Sequence, residues 1–332
     1  MRLLIATDAW YPQINGVVRT FSTLVGKLAE AGHDVRLLTP ETFPTLPCPS
    51  YPEIRLAVCR PKTVSAAIEA FAPEAIHIAT EGPLGWAVRR HCLRRRLPFS
   101  TSFHTRFPEY IQARWRVPLA WSYRFVRAFH APATHVMVAT GSIEQELVAR
   151  GFRNISRWTR GVDTGLFRPR PKNLYALPRP VSLYVGRIAV EKSVEDFLRL
   201  DLPGSKVLIG DGPMRTVLEQ RYPQARFLGA KVGEDLALHY AAADVFVFPS
   251  RTDTFGLVLL EALASGVPVA AYPVPGPLDV LGNSGAGCLD EDLGAAVVNA
   301  LAVPAETCRA RAEAFSWDNS VRQFLANVTP VR

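Results

Sequence analysis

The stretch that decides the fold reads Phe248-Pro-Ser-Arg-Thr-Asp-Thr-Phe-Gly-Leu-Val-Leu-Leu-Glu-Ala-Leu-Ala-Ser-Gly-Val-Pro268. The β-branched and aromatic residues that lead into it predict a strand over Val245–Phe248. A polar turn follows, and the apolar run after it predicts a helix over Leu257–Ala264 that begins near Phe255–Gly256. A second apolar strand is predicted over Pro268–Ala271. This order of strand, helix and strand is typical of a parallel sheet covered by helices.

The same stretch carries candidate ligand-binding groups. Thr254, Phe255 and Gly256 present backbone N–H groups at the predicted helix start, where unpaired donors and the helix dipole favour phosphate. Asp253 and Glu261 stand eight positions apart. Glu261 lies about two turns into the helix, where its carboxylate can accept ribose hydroxyl groups. The alternative is structural: Asp253 caps the helix and Glu261 is solvated, although the leucines beside Glu261 make full solvation a poor fit.

Strands and helices alternate through both halves of the chain. In the first half the pattern predicts elements over Leu3–Thr7, Gly16–Ala31, Asp34–Leu38, Ala75–Ile78, Leu84–Arg96, Phe99–Ser102, His135–Ala139 and Ser142–Arg150. In the second half it predicts further elements over Val181–Val185, Lys192–Leu200, Lys206–Ile209, Met214–Arg221, Arg226–Leu228 and Glu234–Ala242. The fold class is therefore α/β, with two doubly wound domains whose ligands bind at the carboxyl ends of the strands, in a cleft between the domains.

The boundary between the domains is predicted from composition. Residues 166–178 contain three prolines and three cations, which suit neither a helix nor a strand, so we predict a linker there. The predicted domains cover residues 1–165 and 179–315. A helix at about residues 316–332 is expected to pack back on the first domain.

Composition narrows the classes of function. Apolar residues make up 48% of the 332 residues and charged residues 20%, which is typical of a globular protein. The five cysteines are scattered, so neither a zinc site nor a disulfide framework is expected, and a reducing compartment fits. Residues 256–278 are largely apolar, but prolines interrupt them, so they are predicted to form a buried helix and strand rather than a membrane span.

The positive charge is concentrated in the first half. Residues 1–165 carry 21 Lys+Arg against 12 Asp+Glu, and the formal net charge of the whole chain is +8. Such a half can bind nucleic acid, anionic lipid or a phosphorylated substrate. Basic and aromatic side chains together suit the headgroup region of an anionic bilayer, and a core helix with a solvated basic edge is the alternative. The candidate membrane or acceptor residues are Arg89, Arg90, Arg94, Arg95, Arg96, Trp115 and Trp121.

Three further segments follow predicted strands. Arg187 and Lys192 come after Val181–Val185, where two cations can neutralise a diphosphate or be ordinary surface charges. Asn15-Gly16 allows positive φ and a close backbone approach to a ligand, although the G-x-G-x-x-G dinucleotide fingerprint is absent. His104 ends a strand, a position that is more often structural than catalytic, and the other histidines show no metal-binding spacing.

Together these segments resemble the nucleotide-sugar glycosyltransferases of family four over nearly the whole chain. The motifs occur in the family's order: Asn15-Gly16, Phe103-His104-Thr105, Gly161-Val162-Asp163, Gly186-Arg187 with Glu191-Lys192, Gly210-Asp211-Gly212-Pro213, Asp253–Glu261 and Ala264-Ser-Gly-Val-Pro268. The resemblance implies the GT-B fold, with an amino-terminal acceptor domain and a carboxyl-terminal nucleotide-sugar domain. It also implies a retaining transfer that uses no metal and no cofactor beyond the nucleotide-sugar co-substrate.

The resemblance assigns roles position by position. Arg187 and Lys192 match the cations that bind the donor diphosphate, and Glu261 matches the second, ribose-binding glutamate of an E-x7-E motif. Asp253 replaces the first glutamate, near the donor sugar hydroxyls, with a side chain one methylene shorter. We therefore predict His104, Arg187, Lys192 and Asp253 as catalytic residues. The predicted donor-binding residues are Gly16 near the diphosphate, Gly212 near the base, Glu261 at the ribose, and Thr254, Phe255, Gly256 and Leu257 as backbone donors.

Within the family, the likeness is closest to enzymes that glycosylate membrane lipids, such as sulfoquinovosyl-diacylglycerol synthases and phosphatidylinositol mannosyltransferases. We therefore predict transfer of glucose, glucuronate or mannose from a nucleotide sugar, preferably a UDP-sugar, to a lipid such as diacylglycerol. The predicted location is cytoplasmic, peripheral on the inner face of the cell membrane, with an anionic membrane surface as partner. A GDP-sugar donor, a soluble or polysaccharide acceptor and a sugar-nucleotide epimerase of the same fold stay open. A nucleic-acid-binding protein fits poorly, because it leaves the Asp253–Glu261 and Arg187–Lys192 pairs unexplained.

Overall fold

The computed structural model describes residues 1–13, 15–48 and 51–331, and of Tyr51–Ile54, Ala113 and Arg114 it describes only the backbone. Ile14, beside the predicted Asn15-Gly16 turn, and the last residue of the predicted helix 316–332 lie outside the described residues. The chain divides into two compact units. Unit 1 contains Met1–Thr159 and Trp317–Arg332, and unit 2 contains Arg160–Ser316.

Unit 1 is built on a parallel sheet. Its elements up to Thr159 are β1 (Arg2–Ala6), α1 (Gly16–Glu30), β2 (Asp34–Leu38), β3 (Thr45–Cys48), β4 (Tyr51–Ala57), α2 (Pro61–Phe71), β5 (Ala75–Ile78), α3 (Pro83–Arg95), β6 (Ser100–Ser102), α4 (Phe107–Trp115), α5 (Leu119–His130), β7 (Val136–Val138), α6 (Gly141–Ala149) and β8 (Ile155–Arg157). The sheet has the order β2-β1-β5-β6-β7-β8, and β3 pairs with β4 in a separate antiparallel ribbon. Leu3, Leu4 and Ile5 are fully buried, because helices cover both faces of the sheet.

Unit 2 repeats this plan. Its elements are β9 (Val181–Val185), α7 (Val194–Arg199), β10 (Ser205–Ile209), α8 (Arg215–Arg221), β11 (Arg226–Phe227), α9 (Gly233–Ala241), β12 (Val245–Phe248), α10 (Leu257–Ala264), β13 (Val269–Ala271), α11 (Pro275–Leu281), β14 (Gly287–Leu289), α12 (Leu293–Ala300) and α13 (Ala305–Glu313). The sheet order is β11-β10-β9-β12-β13-β14, and its strand pairs are parallel. The prediction of two doubly wound α/β halves is confirmed.

The last helix, α14 (Trp317–Asn327), belongs to unit 1. Phe324 of this helix is fully buried and stacks on Trp158, with 4.9 Å between the ring centroids. The indole Nε1 of Trp158 donates a hydrogen bond to Ser320 Oγ at 3.0 Å. Unit 1 therefore takes part of its core from residues that follow all of unit 2 in the chain.

The predicted linker at residues 166–178 does not separate the units, because the chain enters unit 2 between Thr159 and Arg160. Residues 166–178 contain no helix or strand, but they are tied to unit 2. Phe167 is buried, and its carbonyl accepts a hydrogen bond from Arg309 at 2.8 Å. Tyr175 Oη lies 2.6 Å from Nδ1 of His239 on α9. These side-chain contacts could not be deduced from proline content.

Each sheet has one point where the connections leave its strands in opposite directions. In unit 1 this point lies between β1 and β5, and in unit 2 between β9 and β12. The loops at the carboxyl ends of two such strands diverge and leave a crevice, which is where open α/β sheets bind ligands. The topology thus points to residues 8–15 and 79–82 in unit 1, and to residues 186–193 and 249–256 in unit 2.

Candidate functional site

The two crevice loops of unit 2 are joined by an ion pair. Lys192 Nζ lies 2.5 Å from Asp253 Oδ1, and each of these side chains is about one-fifth exposed. Thr252 Oγ1 donates a hydrogen bond to the carbonyl of Glu191 at 3.1 Å. The structure therefore brings together two predicted catalytic residues that belong to separate motifs.

The other carboxylate oxygen of Asp253 is poorly satisfied. Oδ2 is buried and has no hydrogen-bond partner among the described residues. A buried polar atom of this kind costs free energy unless a donor reaches it. The alternative that Asp253 caps α10 is wrong, because Gly256 holds the capping position. Asp253 instead offers one oxygen to Lys192 and one to a further donor.

The loop that carries Arg187 and Lys192 is held in place by hydrogen bonds with neighbouring residues. The Tyr184 hydroxyl donates to the Arg187 carbonyl at 2.8 Å, and the N–H of Ile188 donates to the Asp211 carbonyl at 2.9 Å. A Cβ added at Gly212 would lie 2.4 Å from the Ile188 carbonyl oxygen, so only glycine permits this approach. Gly212 is therefore required for the shape of the loop that carries Arg187 and Lys192. Its predicted position near a nucleotide base stays a prediction.

The turn before α10 contains the predicted backbone donors. Helix α10 begins at Leu257, the first residue of the predicted helix, and Gly256 before it has a left-handed φ of 85° that ends the turn. Thr254 and Phe255 therefore lie in the turn itself. The buried ring of Phe255 packs against the ring of Phe315, with 6.0 Å between the ring centroids. The turn presents main-chain groups next to Asp253 at the start of the helix.

Glu261 is buried inside unit 2, so the alternative of a solvated helix residue is wrong. Only 4% of its surface is exposed. Its Oε2 accepts a hydrogen bond of 2.9 Å from the hydroxyl of Tyr240, a fully buried residue of α9. The role predicted for this carboxylate, binding of ribose hydroxyl groups, stays a prediction.

The two predicted site residues of unit 1 lie at the carboxyl side of its sheet. Gly16 is the first residue of α1, and Asn15 caps this helix by accepting hydrogen bonds from Val17 and Val18, each at 3.0 Å. Asn15 has an extended φ of −149°, so the expected turn of positive φ is not formed there. His104 packs edge-on against Phe21 of α1, with 5.3 Å between the ring centroids.

Sequence reasoning missed a buried carboxylate at the unit 1 crevice. Asp8 accepts hydrogen bonds from two backbone N–H groups at the start of α3, at 2.8 and 3.1 Å, and from Thr80 Oγ1 at 2.9 Å. Burial raises the pKa of Asp8, although these donors act in the opposite direction. Next to it, Glu81 Oε1 lies 3.1 Å from Nε2 of the buried His130. The available signal was the polar run Thr80-Glu81 directly after an apolar strand.

The arginines and the tryptophans that were predicted to form one basic and aromatic surface lie on different helices. Arg89 is half-buried, and its guanidinium donates to the carbonyls of Phe129 and Ala128 at 2.9 and 2.8 Å, at the end of α5. Arg90, Arg94, Arg95 and Arg96 are exposed. Because α3 starts after the carboxyl end of β5 and leads to β6, the last three lie toward the amino edge of the sheet.

The aromatic part lies on α4 and α5, which begin after the carboxyl end of β6. Trp115 is 57% exposed and Trp121 is 72% exposed. Phe125, one turn after Trp121, is also exposed on one side and stacks on Trp86 with 5.1 Å between the ring centroids. The exposed tryptophans therefore lie on two successive helices of unit 1, in the connection between β6 and β7.

Metal-binding clusters and membrane-spanning helices were sought in the described part of the chain. No group of three or more His, Cys, Asp or Glu side chains there could hold a metal ion. No helix within the described ranges is long and apolar enough to span a membrane.

Comparison with known proteins identifies related sequences. The family model described as Glycosyltransferase Family 4 matches residues 14–166, and the model described as Glycosyl transferases group 1 matches residues 179–303. A GDP-mannose-dependent alpha-mannosyltransferase of Mycobacterium tuberculosis is 29% identical, over 85% of this chain and 81% of that protein. A sulfoquinovosyl transferase of Arabidopsis thaliana is 31% identical, over 82% of this chain and 59% of that protein. An alpha-monoglucosyldiacylglycerol synthase of Streptococcus pneumoniae is 27% identical, over 91% of this chain and 78% of that protein.

Solved structures share the fold. Sucrose-phosphate synthase from Thermosynechococcus elongatus matches with a TM-score of 0.77 at 22% identity, over 98% of this chain and 97% of that one. The Anabaena protein HepE, crystallised with UDP and glucose, matches with a TM-score of 0.72 at 15% identity, over 98% of both chains. The prediction of the GT-B fold with two Rossmann-like domains is confirmed.

Proposed function

Because this chain is a glycosyltransferase with a Family 4 domain followed by a group 1 domain, we propose that it transfers a hexose from a nucleotide sugar, preferably a UDP-sugar, to a membrane lipid such as diacylglycerol. The observation that carries the donor half of this proposal is the meeting of Lys192 and Asp253 at the crevice of unit 2. A cation and a carboxylate at this point suit a substrate that has a diphosphate and a sugar side by side.

In this proposal the donor is bound by unit 2. Lys192 and Arg187 neutralise the diphosphate, and the backbone donors from Thr254 to Leu257 add hydrogen bonds to phosphate and sugar. Asp253 accepts a sugar hydroxyl through Oδ2, the oxygen that lacks a protein donor. Glu261 holds the ribose, and Gly212 lies near the base. His104 and Gly16 keep the roles that the resemblance implies, beside the donor sugar and near the diphosphate.

The proposed chemistry is electrostatic. Cations and backbone N–H groups stabilise the nucleoside diphosphate as the bond between the anomeric carbon and the phosphate oxygen breaks. The acceptor hydroxyl attacks the anomeric carbon on the same face, and the leaving phosphate takes its proton, so the anomeric configuration is retained. No covalent nucleophile, metal ion or cofactor takes part in this scheme.

The lipid acceptor is supported by relatives and by the surface of unit 1. One relative is named for making monoglucosyldiacylglycerol, and another for transferring sulfoquinovose. The exposed Trp115 and Trp121 suit the headgroup interface, and each exposed arginine near an anionic surface contributes roughly 1 kcal/mol of attraction. In this proposal the enzyme is cytoplasmic and binds the inner face of the cell membrane peripherally, with no nucleic-acid partner.

The test mixes purified protein with UDP-glucose, UDP-glucuronate or GDP-mannose and with liposomes that contain diacylglycerol, and reads the lipid extract by mass spectrometry. A lipid heavier by one sugar residue identifies donor and acceptor together. GDP-mannose is included because one relative is named as dependent on it. Release of nucleotide without a new lipid would remove the lipid acceptor from the proposal, and the absence of transfer from all three donors would remove the donors named.

Membrane contact has its own test. Flotation with liposomes that contain anionic lipid should carry the protein upward, and Trp115→Ala/Trp121→Ala should reduce the bound fraction. Equal flotation with neutral and anionic liposomes would contradict the electrostatic part of the proposal.

A further inference from the structure

Tyr240 is a buried side chain of α9 whose hydroxyl is directed at a proposed ligand-binding carboxylate, that of Glu261. Its hydroxyl donates to Glu261 Oε2 at 2.9 Å, and both residues are buried. We infer that Tyr240 is a positioning residue that orients Glu261 toward the ribose of the donor nucleotide. This inference rests on the proposed function, in which Glu261 holds the ribose.

The tyrosine ring is itself held in place. It packs edge-on against Phe167 and, at a tilt, against Phe246, with 5.7 Å between the ring centroids in each case. Both phenylalanines are buried. A ring packed on two sides cannot rotate freely, so its hydroxyl acts as a donor at a defined point.

Glu261 needs such a donor because its surroundings are apolar. Leu259, Leu260, Ala262 and Leu263, its neighbours on α10, are fully buried. A carboxylate in this environment is stabilised by hydrogen bonds, and each bond also restricts its rotamers. The Tyr240 bond comes from α9, a separate helix, so it determines the direction of the carboxylate independently of the backbone of α10.

The chemical consequence concerns hydroxyl groups of the nucleotide. An oriented carboxylate accepts hydrogen bonds from the vicinal 2′- and 3′-hydroxyls of a ribose, and it gains nothing from a 2′,3′-dideoxyribose. Removing the Tyr240 hydroxyl should therefore weaken binding of the ribonucleotide and leave binding of the dideoxynucleotide unchanged. A hydrogen bond to a charged group corresponds to roughly a 10-fold to 100-fold change in affinity.

The experiment measures the dissociation constants of UDP, GDP and their 2′,3′-dideoxy analogues by calorimetry, for the wild-type protein and for Tyr240→Phe. We expect the wild type to prefer its ribonucleotide over the dideoxy analogue, and Tyr240→Phe to lose most of that preference. The ratio of the two constants is the critical quantity. If part of the variant were unfolded, both constants would change by the same factor and the ratio would stay the same.

The matched control is Tyr175→Phe. Tyr175 also directs its hydroxyl at a polar group on α9, Nδ1 of His239 at 2.6 Å, but not at Glu261. Tyr175→Phe should keep the wild-type ratio. A wild-type ratio in Tyr240→Phe, or no preference in the wild type, would overturn the inference about Tyr240. Failure of the wild type to bind either ribonucleotide would instead refute the proposed function, and the inference with it.

Discussion

Lys192 and Asp253 lie 61 positions apart in the chain, yet their charged groups are in contact. A diphosphate that binds Lys192 must compete with this carboxylate and is also repelled by it. The ion pair therefore keeps the lysine in place before the donor binds, at some cost to donor affinity. Substituting Lys192 and substituting Asp253 should therefore have different effects on donor binding.

Removing the cation should remove the main attraction for the donor. We expect Lys192→Ala to lower the rate of transfer by about 100-fold or more, because an electrostatic contact to the leaving group is lost. Circular dichroism and the melting temperature should stay near the wild-type values. Lys27→Ala is the matched control, since Lys27 forms an exposed ion pair with Glu30 in unit 1. A fully active Lys192→Ala enzyme would contradict the assignment of the diphosphate site.

Neutralising the carboxylate should have opposite effects on binding and on turnover. Asp253→Asn removes the competitor for Lys192, so UDP should bind about 10-fold more tightly, which corresponds to about 1.4 kcal/mol. Transfer should nevertheless slow, because the proposed contact to the sugar hydroxyl is weakened. Calorimetry with UDP and a transfer assay separate the two effects. Asp235→Asn is the control, as Asp235 pairs with Lys231 at 2.9 Å outside the crevice loops. Unchanged UDP affinity would show that the diphosphate does not compete for Lys192.

The residue types at the site could be predicted from the sequence, but their partners could not. The cations of residues 187–192 and the carboxylate at 253 are visible as motifs after strands. Their contact depends on β9 and β12 being neighbours in the sheet, which follows from topology. The bond from Tyr240 to Glu261 was missed because Tyr240 stands in an ordinary apolar helical pattern.

At the scale of elements, helix α5 depends on a side chain from another helix. Arg89 of α3 donates to two carbonyls at the end of α5 and lies over the ring of Trp86, 4.8 Å from its centroid. Cations stabilise the carboxyl end of a helix, where carbonyl groups lack partners. Arg89 is therefore part of the structure of unit 1, and its exposed neighbour Arg90 is not.

Substituting Arg89 should change the stability of unit 1, and substituting Arg90 should change only its surface charge. Arg89→Ala should lower the free energy of unfolding by about 1–2 kcal/mol and the melting temperature by about 2–4 °C for each kcal/mol. Arg90→Ala should leave the melting temperature unchanged and weaken flotation with anionic liposomes. Calorimetry and flotation test both variants. The reverse pattern would mean that Arg89, rather than Arg90, is the surface charge.

Helix α11 supports the turn before α10 by close packing. A Cβ added at Gly276 would lie 3.0 Å from the Phe255 carbonyl oxygen and 3.1 Å from that of Asp253. Both are backbone atoms, so the turn must move by a few tenths of an ångström. Gly276→Ala should therefore raise KM for the donor by about 10-fold, although alanine favours the helix.

The control for this substitution is Gly26→Ala in α1, where the added Cβ meets no heavy atom within 4 Å beyond the adjoining residues and backbone of its own helix. It should raise stability by about 0.5–1 kcal/mol without affecting transfer. An unchanged KM in Gly276→Ala would show that the turn does not need its present position to bind the donor.

Prediction of elements succeeded where the hydrophobic pattern was simple. Strands β2, β5, β9 and β12 and helix α10 have the predicted bounds, because buried parallel strands are short apolar runs. The ribbon of β3 and β4 was missed, and so were α4 and α5. In the segment of α4 and α5 the arginines and exposed aromatics obscure the amphipathic pattern, so the sequence predicts a membrane surface there and offers a core helix only as the alternative, without helix bounds.

For the whole molecule, two buried histidines make stability depend on pH. Burial lowers the pKa of His91 in unit 1 and of His239 in unit 2 below the usual 6.5. At these two positions the folded chain thus binds fewer protons than the unfolded chain at pH values near and below 6.5. Protonation then favours unfolding, so the contribution of each histidine is present above this range and is lost as the pH falls.

We expect the free energy of unfolding to decrease from pH 7.5 to pH 5.5, and His239→Gln to decrease less steeply over this range. Urea unfolding at several pH values measures both slopes. The comparison between wild type and variant isolates one histidine from the other titrating groups. Equal slopes would mean that His239 does not contribute to the pH dependence.

The return of α14 to unit 1 has a consequence for synthesis. The ribosome makes residues 317–327 after all of unit 2, yet Phe324 completes the core around Trp158 in unit 1. Unit 2 therefore has its whole sequence available while unit 1 still lacks a helix. The half of the chain that is translated first is the half that finishes folding last, and a nascent chain exposes the α14-binding face of unit 1 until α14 itself has been made.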